Sequence, residues 1–255
     1  MDKISIVTVC FNASKVLEQT IQSVINQKYQ NIEYIVIDGN STDGTVEIIK
    51  KYSDKIDYWV SEPDNGIYDA MNKGVNVATG TWVNFMNAGD VFFDENVIYS
   101  IFNSDIKEDC QIIYGKTIVK CPWGKYIVTP NSVNKLDRTM PFCHQSTFTR
   151  RILLEEFKFD TRLNIASDFN FFNLVYKKYK SCFLYLDYLI SIFDACDGVS
   201  SVNKIDMLND YELILKNKLY FKRYIYMIKK NIPCKIMNYI YRLIWYFKPR
   251  FKRIN

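Results

Sequence analysis

Apolar and polar positions along the first ninety residues form two kinds of block that follow each other in turn. Residues 4–10 are almost all apolar, which is typical of a buried strand, whereas residues 14–27 place apolar side chains every three or four positions. The second pattern predicts a helix with Ser14 as its N-cap. Further strands are predicted at 32–37, 58–61 and 81–86, and further helices at 45–52 and 67–78. Strands that alternate with helices predict parallel βαβ units, so we expect a Rossmann-like α/β sheet flanked by helices.

The second half of the chain is less regular but still mixes strands with helices. Residues 111–128 predict a hairpin that turns near Pro122 to Gly124, and MPFCHQSTF predicts a loop that leads into a strand. The remaining predicted elements are a helix at 166–179, a strand at 182–193 and a helix at 204–222. We expect one domain over residues 1–203 and a separate helical, basic segment over residues 204–255.

Composition narrows the class of protein. The 255 residues are 48% hydrophobic, enough for a substantial core, and they include seven cysteines without a CxxC spacing. The first residues form a strand pattern and not a secretory signal, so we expect a reduced, cytoplasmic protein. His144 is the only histidine, which argues against a catalytic zinc site.

Charge is distributed unevenly along the chain. The net charge is +5, yet residues 213–255 hold twelve Lys and Arg and no Asp or Glu. Aromatic and aliphatic residues are interleaved with them, and no charge-free apolar run approaches the roughly 18–20 residues of a spanning helix. A segment of this composition binds anionic surfaces, so we expect it to lie on a membrane. The alternatives are a helix pair packed on the body and a nucleic-acid-binding arm, and the arm lacks a recognition motif.

Three carboxylates share a position relative to the predicted strands. Asp38, Asp64 and Asp90 each lie at or just after the C-terminal end of a strand, where α/β sheets bind their ligands. Asp90, in NFMNAGD, has the chemistry of a ligand for a hard divalent cation that also takes substrate phosphates. Asp38 and Asp90 could instead form turns in which the side chain only bonds its own backbone.

The stretch SEPDNGIYDAMNKG can be explained by helix formation alone. Asp64 or Asn65 can cap the helix, its apolar residues form one stripe, and Asp69 and Lys73 form a pair four residues apart. The tight Pro-Asp-Asn-Gly turn is not explained in this way, and it suits a loop beside a bound ligand.

Several motifs, which follow one another in a fixed order, resemble those of a known protein family. TVCFNAS, IDGNSTDGT, SEPDNGIYDAMNKG and NFMNAGD follow one another within the first ninety residues, and MPFCHQSTF and NIASDFNFF come later. Together they resemble a family 2 glycosyltransferase of the GT-A fold, of the type that builds bacterial capsule, O-antigen or exopolysaccharide. The resemblance covers residues 3–200 and implies a mixed sheet flanked by helices, followed here by a basic helical tail.

The resemblance implies roles for particular residues around a nucleoside-diphosphate sugar. The nucleotide and donor would be held by Thr8, Asn12, Asp38, Asp64, Asn72, Lys73, Asn87 and His144. Only the last acid of the family's metal motif is present, so Asp90 is the expected ligand of Mn²⁺ or Mg²⁺. Met71 stands where the family often has an arginine, which leaves Lys73 as the basic residue near the phosphates.

The same resemblance assigns the chemistry to Asp168 in NIASDFNFF. A carboxylate there would take the proton of the acceptor hydroxyl while that oxygen attacks the anomeric carbon opposite the leaving nucleoside diphosphate, which inverts the configuration. The structural alternative is that Asp168 caps a helix. His144 either contacts the donor or is structural, and the turn at 197–200 either closes near the acceptor or is a plain turn.

These expectations combine into a metal-dependent, inverting glycosyltransferase, peripheral on the inner face of the plasma membrane. We expect a UDP-linked donor in preference to a GDP-linked one, a saccharide acceptor that is free or polyprenyl-linked, and no nucleic-acid partner. A sugar nucleotidyltransferase lacks its Gly-rich basic loop after the first strand, and a NAD-dependent dehydrogenase lacks its GxGxxG. The remaining alternative is a sugar-nucleotide-binding or scaffolding protein that has lost its catalytic activity because its metal motif is incomplete.

Overall fold

A computed structural model describes residues 1–122, 124–195, 204–216 and 251–254, in which ten strands form one mixed sheet. The strands are β1 Ile4–Cys10, β2 Ile32–Asp38, β3 Tyr58–Ser61, β4 Trp82–Phe85, β5 Val91–Phe92, β6 Ile112–Cys121, β7 Gly124–Val128, β8 Thr147–Arg150, β9 Phe183–Asp194 and β10 Phe251–Ile254. The helices are α1 Leu17–Ile25, α2 Thr45–Lys51, α3 Ile67–Val77, α4 Val97–Phe102, α5 Arg151–Phe157, α6 Ser167–Lys178 and α7 Lys204–Leu215. Short 3₁₀ turns lie at Ser53–Lys55, Val133–Asp137 and His144–Ser146.

The first half of the chain forms the parallel unit that its periodicity predicts. Strands β4, β1, β2 and β3 lie side by side in this order and run parallel, so their carboxyl ends meet at one edge of the sheet. β8 joins β4 in the antiparallel direction, and β6 joins β8 in the same way. β7 and β9 then extend the sheet from β6, which makes it mixed.

Strand β1 is buried along its whole length and supplies side chains to two cores. Ile4 and Ile6 belong to a cluster with residues of α1 and α4, whereas Val7 and Val9 belong to a cluster with residues of α3, α5 and α6. Alternate residues of a strand point to opposite faces, which is why helices can cover both sides. Gly74 of α3 permits close contact with β1, because a Cβ atom there would overlap Cγ1 of Val7.

The start of the first helix differs from the predicted one. α1 begins at Leu17, and no side chain caps it. The predicted cap was wrong because the Ser14 N–H donates to Asp43 at 3.0 Å, and residues 13–16 form a turn instead of the first helical turn. The loop after β1 is thereby fixed to the loop after β2.

The C-terminal part of the chain is described only in two pieces. Residues 204–215 form α7, which ends at Leu215, before the predicted end at 222, because Lys216 has a positive φ of 49°. Residues 251–254 form strand β10 where a helical tail was expected. β10 pairs antiparallel with β7, which would otherwise leave an open sheet edge. The turn at 197–200 and most of the basic tail lie outside the described residues. Within the described part of the chain, no helix combines the length and apolarity needed to cross a membrane.

Candidate active site

The loop after β2 is organised around the carboxylate of Asp38. Asp38 is fully buried, and its Oδ2 accepts from the Ser41 N–H at 2.9 Å and from the Ser61 hydroxyl at 2.6 Å. Its Oδ1 accepts from the Ser41 hydroxyl at 2.5 Å. In this arrangement the carboxylate of Asp38 fixes the loop and is not exposed to a ligand.

The predicted residues Asn12 and Asp64 both lie next to this loop. Asn12 has a positive φ of 48°, and its Oδ1 accepts from the Thr42 N–H at 3.0 Å. A Cβ atom on Gly39 would lie 2.6 Å from Oδ2 of Asp64 and 3.3 Å from the ring of Phe11. The glycine therefore allows a carboxylate and an aromatic ring to meet at the carboxyl edge of the sheet.

Phe11 is a feature of this edge that the sequence reasoning missed. Its side chain is 65% exposed, although it immediately follows a fully buried strand. The ring lies close to Gly39 at the carboxyl edge of the sheet, so a flat ligand at this edge could stack on it. The signal was visible in TVCFN, where an aromatic residue stands in a loop otherwise made of small and polar residues.

Thr8, which the resemblance assigns to nucleoside binding, has no exposed surface in the structure. It lies inside β1 and is fully buried. Its hydroxyl donates to the carbonyl of Met86 at 2.8 Å and lies 3.1 Å from the Tyr34 hydroxyl. The side chain therefore ties β1 to the chain that leaves β4, and it offers no surface to a nucleoside.

Helix α3 presents its polar residues to protein groups. Asn72 pairs with the backbone of Phe159 through both amide atoms, each at 2.9 Å. Lys73 binds Glu62 at 2.8 Å and the carbonyl of Pro63 at 2.9 Å, so the predicted pair with Asp69 is replaced. Both residues thus hold neighbouring loops in place, and nothing in these contacts points to a phosphate.

The N-terminus of α3 is capped in a way the sequence did not predict. Gly66, with a φ of 103°, is the N-cap, in place of Asp64 or Asn65. Asp64 instead accepts the Gly66 N–H through Oδ1 at 2.8 Å, and Asp69 accepts the Asn65 N–H at 3.0 Å. These two bonds account for the tight turn without a ligand, but they leave Oδ2 of Asp64 directed toward Gly39.

The NAGD turn lies beside the end of β1 and contains two oxygen-bearing side chains. The Ala88 N–H donates to the carbonyl of Val9 at 3.1 Å, which sets the turn at the carboxyl edge. Asp90 is 7% exposed, and burial raises the pKa of its carboxyl to about 7, while a hydrogen bond from Gln145 at 2.8 Å opposes that rise. Oδ1 of Asn87 is buried and has no hydrogen-bond partner.

Asp168 stands in a connected set of polar side chains. Its Oδ2 lies 3.1 Å from Nδ1 of His144, whose Nε2 lies 3.3 Å from Nδ2 of Asn87. Its Oδ1 accepts the Phe169 N–H at 2.7 Å and lies 3.3 Å from the Tyr68 hydroxyl. Burial raises the pKa of that phenol well above its usual range. Ala166 occupies the N-cap position of α6, so Asp168 is not the cap of its helix.

The tautomer of His144 is assigned from the orientation of the Asn87 amide, whose Nδ2 faces Nε2 of the ring. With the Asn87 amide donating to Nε2, the ring proton lies on Nδ1 and is donated to Asp168. The donor contact of His144 stays a prediction, whereas the structure shows that the imidazole links Asp168 to the NAGD turn. Tyr68 and Gln145 complete this group and were not predicted, although Gln145 follows His144 directly.

A divalent cation can be tested against these residues. Among the described residues, no three His, Cys, Asp or Glu side chains could hold a metal ion together. The carboxylate of Asp90 and the unpartnered Oδ1 of Asn87 are nevertheless the hard oxygen donors that Mg²⁺ or Mn²⁺ prefers. The residues fit a cation that obtains most of its other ligands from water and a diphosphate.

The architecture defines the class of protein. The mixed sheet flanked by helices is a GT-A fold. The chain belongs to the Glycosyl transferase family 2, which it matches over residues 5–175. The family named by the sequence motifs is thereby confirmed.

Three proteins illustrate the similarity. A PGL/p-HBAD biosynthesis glycosyltransferase of Mycobacterium bovis is 29% identical over 179 residues, which cover 66% of this chain and 67% of that protein. S. aureus TarS 1-349 in complex with UDP-GlcNAc has a TM-score of 0.65 at 18% identity, over 84% of this chain and 70% of that one. The mannosyltransferase PcManGT from Pyrobaculum calidifontis, in complex with GDP-Man and Mn²⁺, has a TM-score of 0.63 at 17% identity. That alignment covers 82% of this chain and 61%, less than two thirds, of the mannosyltransferase.

Proposed function

We propose that this protein transfers a sugar from a nucleoside-diphosphate donor to a hydroxyl of a saccharide acceptor, with inversion at the anomeric carbon. The observation that carries the proposal is the run of contacts from Asp168 through His144 to Asn87. It joins a carboxylate suited to proton abstraction with the turn suited to a diphosphate and its cation. Family membership and the glycosyltransferase relatives support the same reaction class.

The nucleoside end of the site is formed by Phe11, Asp64 and the loop that Asp38 fixes. The exposed ring of Phe11 would stack on the base, since every nucleobase has an apolar face that aromatic side chains accept. Asp64 would accept a hydrogen bond from the nucleoside. We propose uridine ahead of guanosine as the base; TarS is described with UDP-GlcNAc, and the mannosyltransferase with GDP-Man.

The diphosphate end is formed by the NAGD turn. Asp90 and Oδ1 of Asn87 would hold Mn²⁺ or Mg²⁺, and this cation supplies charge neutralisation to the leaving nucleoside diphosphate. A cation beside Asp90 favours the ionised carboxylate, which burial alone disfavours. Gln145 keeps the carboxylate oriented through its bond to Oδ2.

Asp168 would act as the general base. Its carboxylate removes the proton from the acceptor hydroxyl, and the acceptor oxygen forms a bond to the anomeric carbon. The bond from that carbon to the phosphate oxygen breaks, and the nucleoside diphosphate leaves with the electron pair. His144 binds Oδ2 and the Phe169 N–H binds Oδ1, so that the base keeps one orientation while the acceptor binds.

Nucleotide binding provides the first test of this proposal. Thermal unfolding is measured with UDP, GDP, CDP and TDP, each with and without Mn²⁺. We expect one nucleotide to raise the melting temperature in a Mn²⁺-dependent way, since a ligand at 100 times its Kd stabilises by about 2.7 kcal/mol. Turnover of the matching donor sugars is then followed in the wild type and in Asp168→Asn. Binding without turnover in the wild type would favour the scaffolding alternative, and no binding and no turnover would reject the proposal.

The acceptor is proposed to be a lipid-linked saccharide at the inner face of the bacterial plasma membrane, in a pathway of surface polysaccharide synthesis. The basic and aromatic composition of residues 213–255 supports this location. The full chain should sediment with vesicles that contain anionic phosphatidylglycerol and not with neutral phosphatidylcholine vesicles. Replacing Lys229 and Lys230 with Glu should weaken sedimentation, and equal binding to both vesicle types would contradict the membrane role.

A further inference from the structure

The backbone that leads into Asp168 is held from two sides. Oδ2 of Asp210, in α7, accepts the N–H of Ile165 at 2.7 Å and the N–H of Ala166 at 3.0 Å. The carbonyl of Ile165 accepts a hydrogen bond of 2.5 Å from Tyr68, in α3. The residue three positions before the proposed base is therefore fixed by a helix on each side.

Asp210 is an unusual side chain for the C-terminal helix. It is 2% exposed, and a carboxylate at such a site is tolerated only when hydrogen bonds replace its lost hydration. The two N–H groups that it binds lie at the N-terminal end of α6, where the helix dipole also favours a negative charge. Burial of this acid in α7 is thus coupled to the position of α6.

Tyr211 adds a second contact between the same two helices. Its ring stacks on Phe169, the residue after the proposed base, with 4.4 Å between centroids and 7° between ring planes. Its hydroxyl accepts the N–H of Met140 at 3.3 Å. Asp210 and Tyr211 therefore contact the chain both before and after Asp168.

We infer that Asp210 and Tyr211 are positioning residues for Asp168, so that α7 belongs to the functional unit of the enzyme. This inference rests on the proposed function, because it requires Asp168 to act on the acceptor. The sequence boundary predicted after residue 203 would separate these residues from the site that they hold. A displacement of the base by about 1 Å can cost on the order of a hundredfold in rate.

The experiment compares Asp210→Ala and Asp210→Asn with Asp206→Ala, which removes an exposed acid from the same helix. We expect Asp210→Ala to lower kcat about tenfold to a hundredfold while the donor KM stays within about threefold. The Asn oxygen can still accept both N–H groups, so Asp210→Asn should retain kcat within about threefold, as should Asp206→Ala. Hydrogen exchange should increase over residues 163–170 in Asp210→Ala alone. If that variant does not fold, Tyr211→Leu replaces it, with the same expected loss of kcat.

The outcomes separate this inference from the function on which it rests. Full activity in Asp210→Ala, or an equal loss in Asp210→Ala and Asp210→Asn, would overturn the positioning role while leaving the transferase assignment intact. A parallel loss of donor binding in Asp210→Ala would overturn it too, because that indicates general damage to the fold. If the wild type itself turns over no donor sugar, the proposed function fails and the inference fails with it.

Discussion

Replacing Asp90 with Asn should remove a pH dependence of stability that this buried carboxyl imposes on the cation-free protein. Burial is the largest cause of its raised pKa of about 7, and Asp194 raises it further, while Gln145 and His144 act in the opposite direction. In the unfolded chain the same group ionises near its ordinary pKa of 3.8. Between these two values the folded protein keeps a proton that the unfolded chain has lost.

The sign and size of the effect follow from this difference. The stabilising contribution is complete below about pH 4 and is lost as the pH rises to about 7, because folding must then either retain the proton or bury a charge. The gap between the two pKa values corresponds to about 4 kcal/mol. For a chain of this size, that amounts to about 10 °C in melting temperature.

The assay is unfolding by urea between pH 4.5 and pH 8, in the presence of a chelator, for the wild type and Asp90→Asn. Asn can still accept the Gln145 hydrogen bond, so the variant should gain stability relative to the wild type as the pH rises. Asp105→Asn, at an exposed position, serves as the control that should show no such trend. If the difference in the free energy of unfolding between Asp90→Asn and the wild type is the same at pH 5 and pH 8, burial does not raise the pKa of this carboxyl.

Three further predictions concern catalysis, nucleotide binding and packing. Asp168→Asn should lower the transfer rate by about 10²–10⁴-fold while leaving the nucleotide-induced rise in melting temperature intact, and transfer within tenfold of the wild type would remove Asp168 as the base. Phe11→Ala should weaken nucleotide binding by about 1–3 kcal/mol in calorimetry without lowering the stability of the free protein, and unchanged affinity would contradict stacking. Gly74→Ala should lower the free energy of unfolding by about 1–3 kcal/mol. The double variant with Val7→Ala should lose less than the sum of the two single losses, and strictly additive losses would show that the two groups do not collide.

The regular elements of the first half could be predicted because each carries its own pattern. β1 and β2 are continuous apolar runs, and α3 has a full apolar stripe. α4 and α5 have six and seven residues and were not predicted, whereas α2, also of seven residues, was predicted after the Gly-bearing turn that precedes it. The two-residue strand β5 exists only because β9, a hundred positions later in the chain, pairs with it.

In the candidate site, too, features that depend on nearby residues could be predicted, and contacts with residues distant in the sequence could not. Strand ends located Asp38 and Asp90 correctly, since that placement depends on nearby residues. The partners of these side chains depend on tertiary contacts, such as the pairing of Asn72 with a backbone 87 positions away. A polar residue on a helix was therefore read as a ligand contact, although the fold uses it to fasten a loop.

Because β1 contributes side chains to both cores, it limits the ways in which this protein can unfold. The strand is the shared wall of both clusters, so losing the helices of one face would leave half of its side chains in water and would loosen the other face. We therefore expect that the helices on one face of β1 do not unfold while those on the other face persist in a stable intermediate. The described domain should accordingly unfold in a single cooperative transition, in which calorimetric and van't Hoff enthalpies agree.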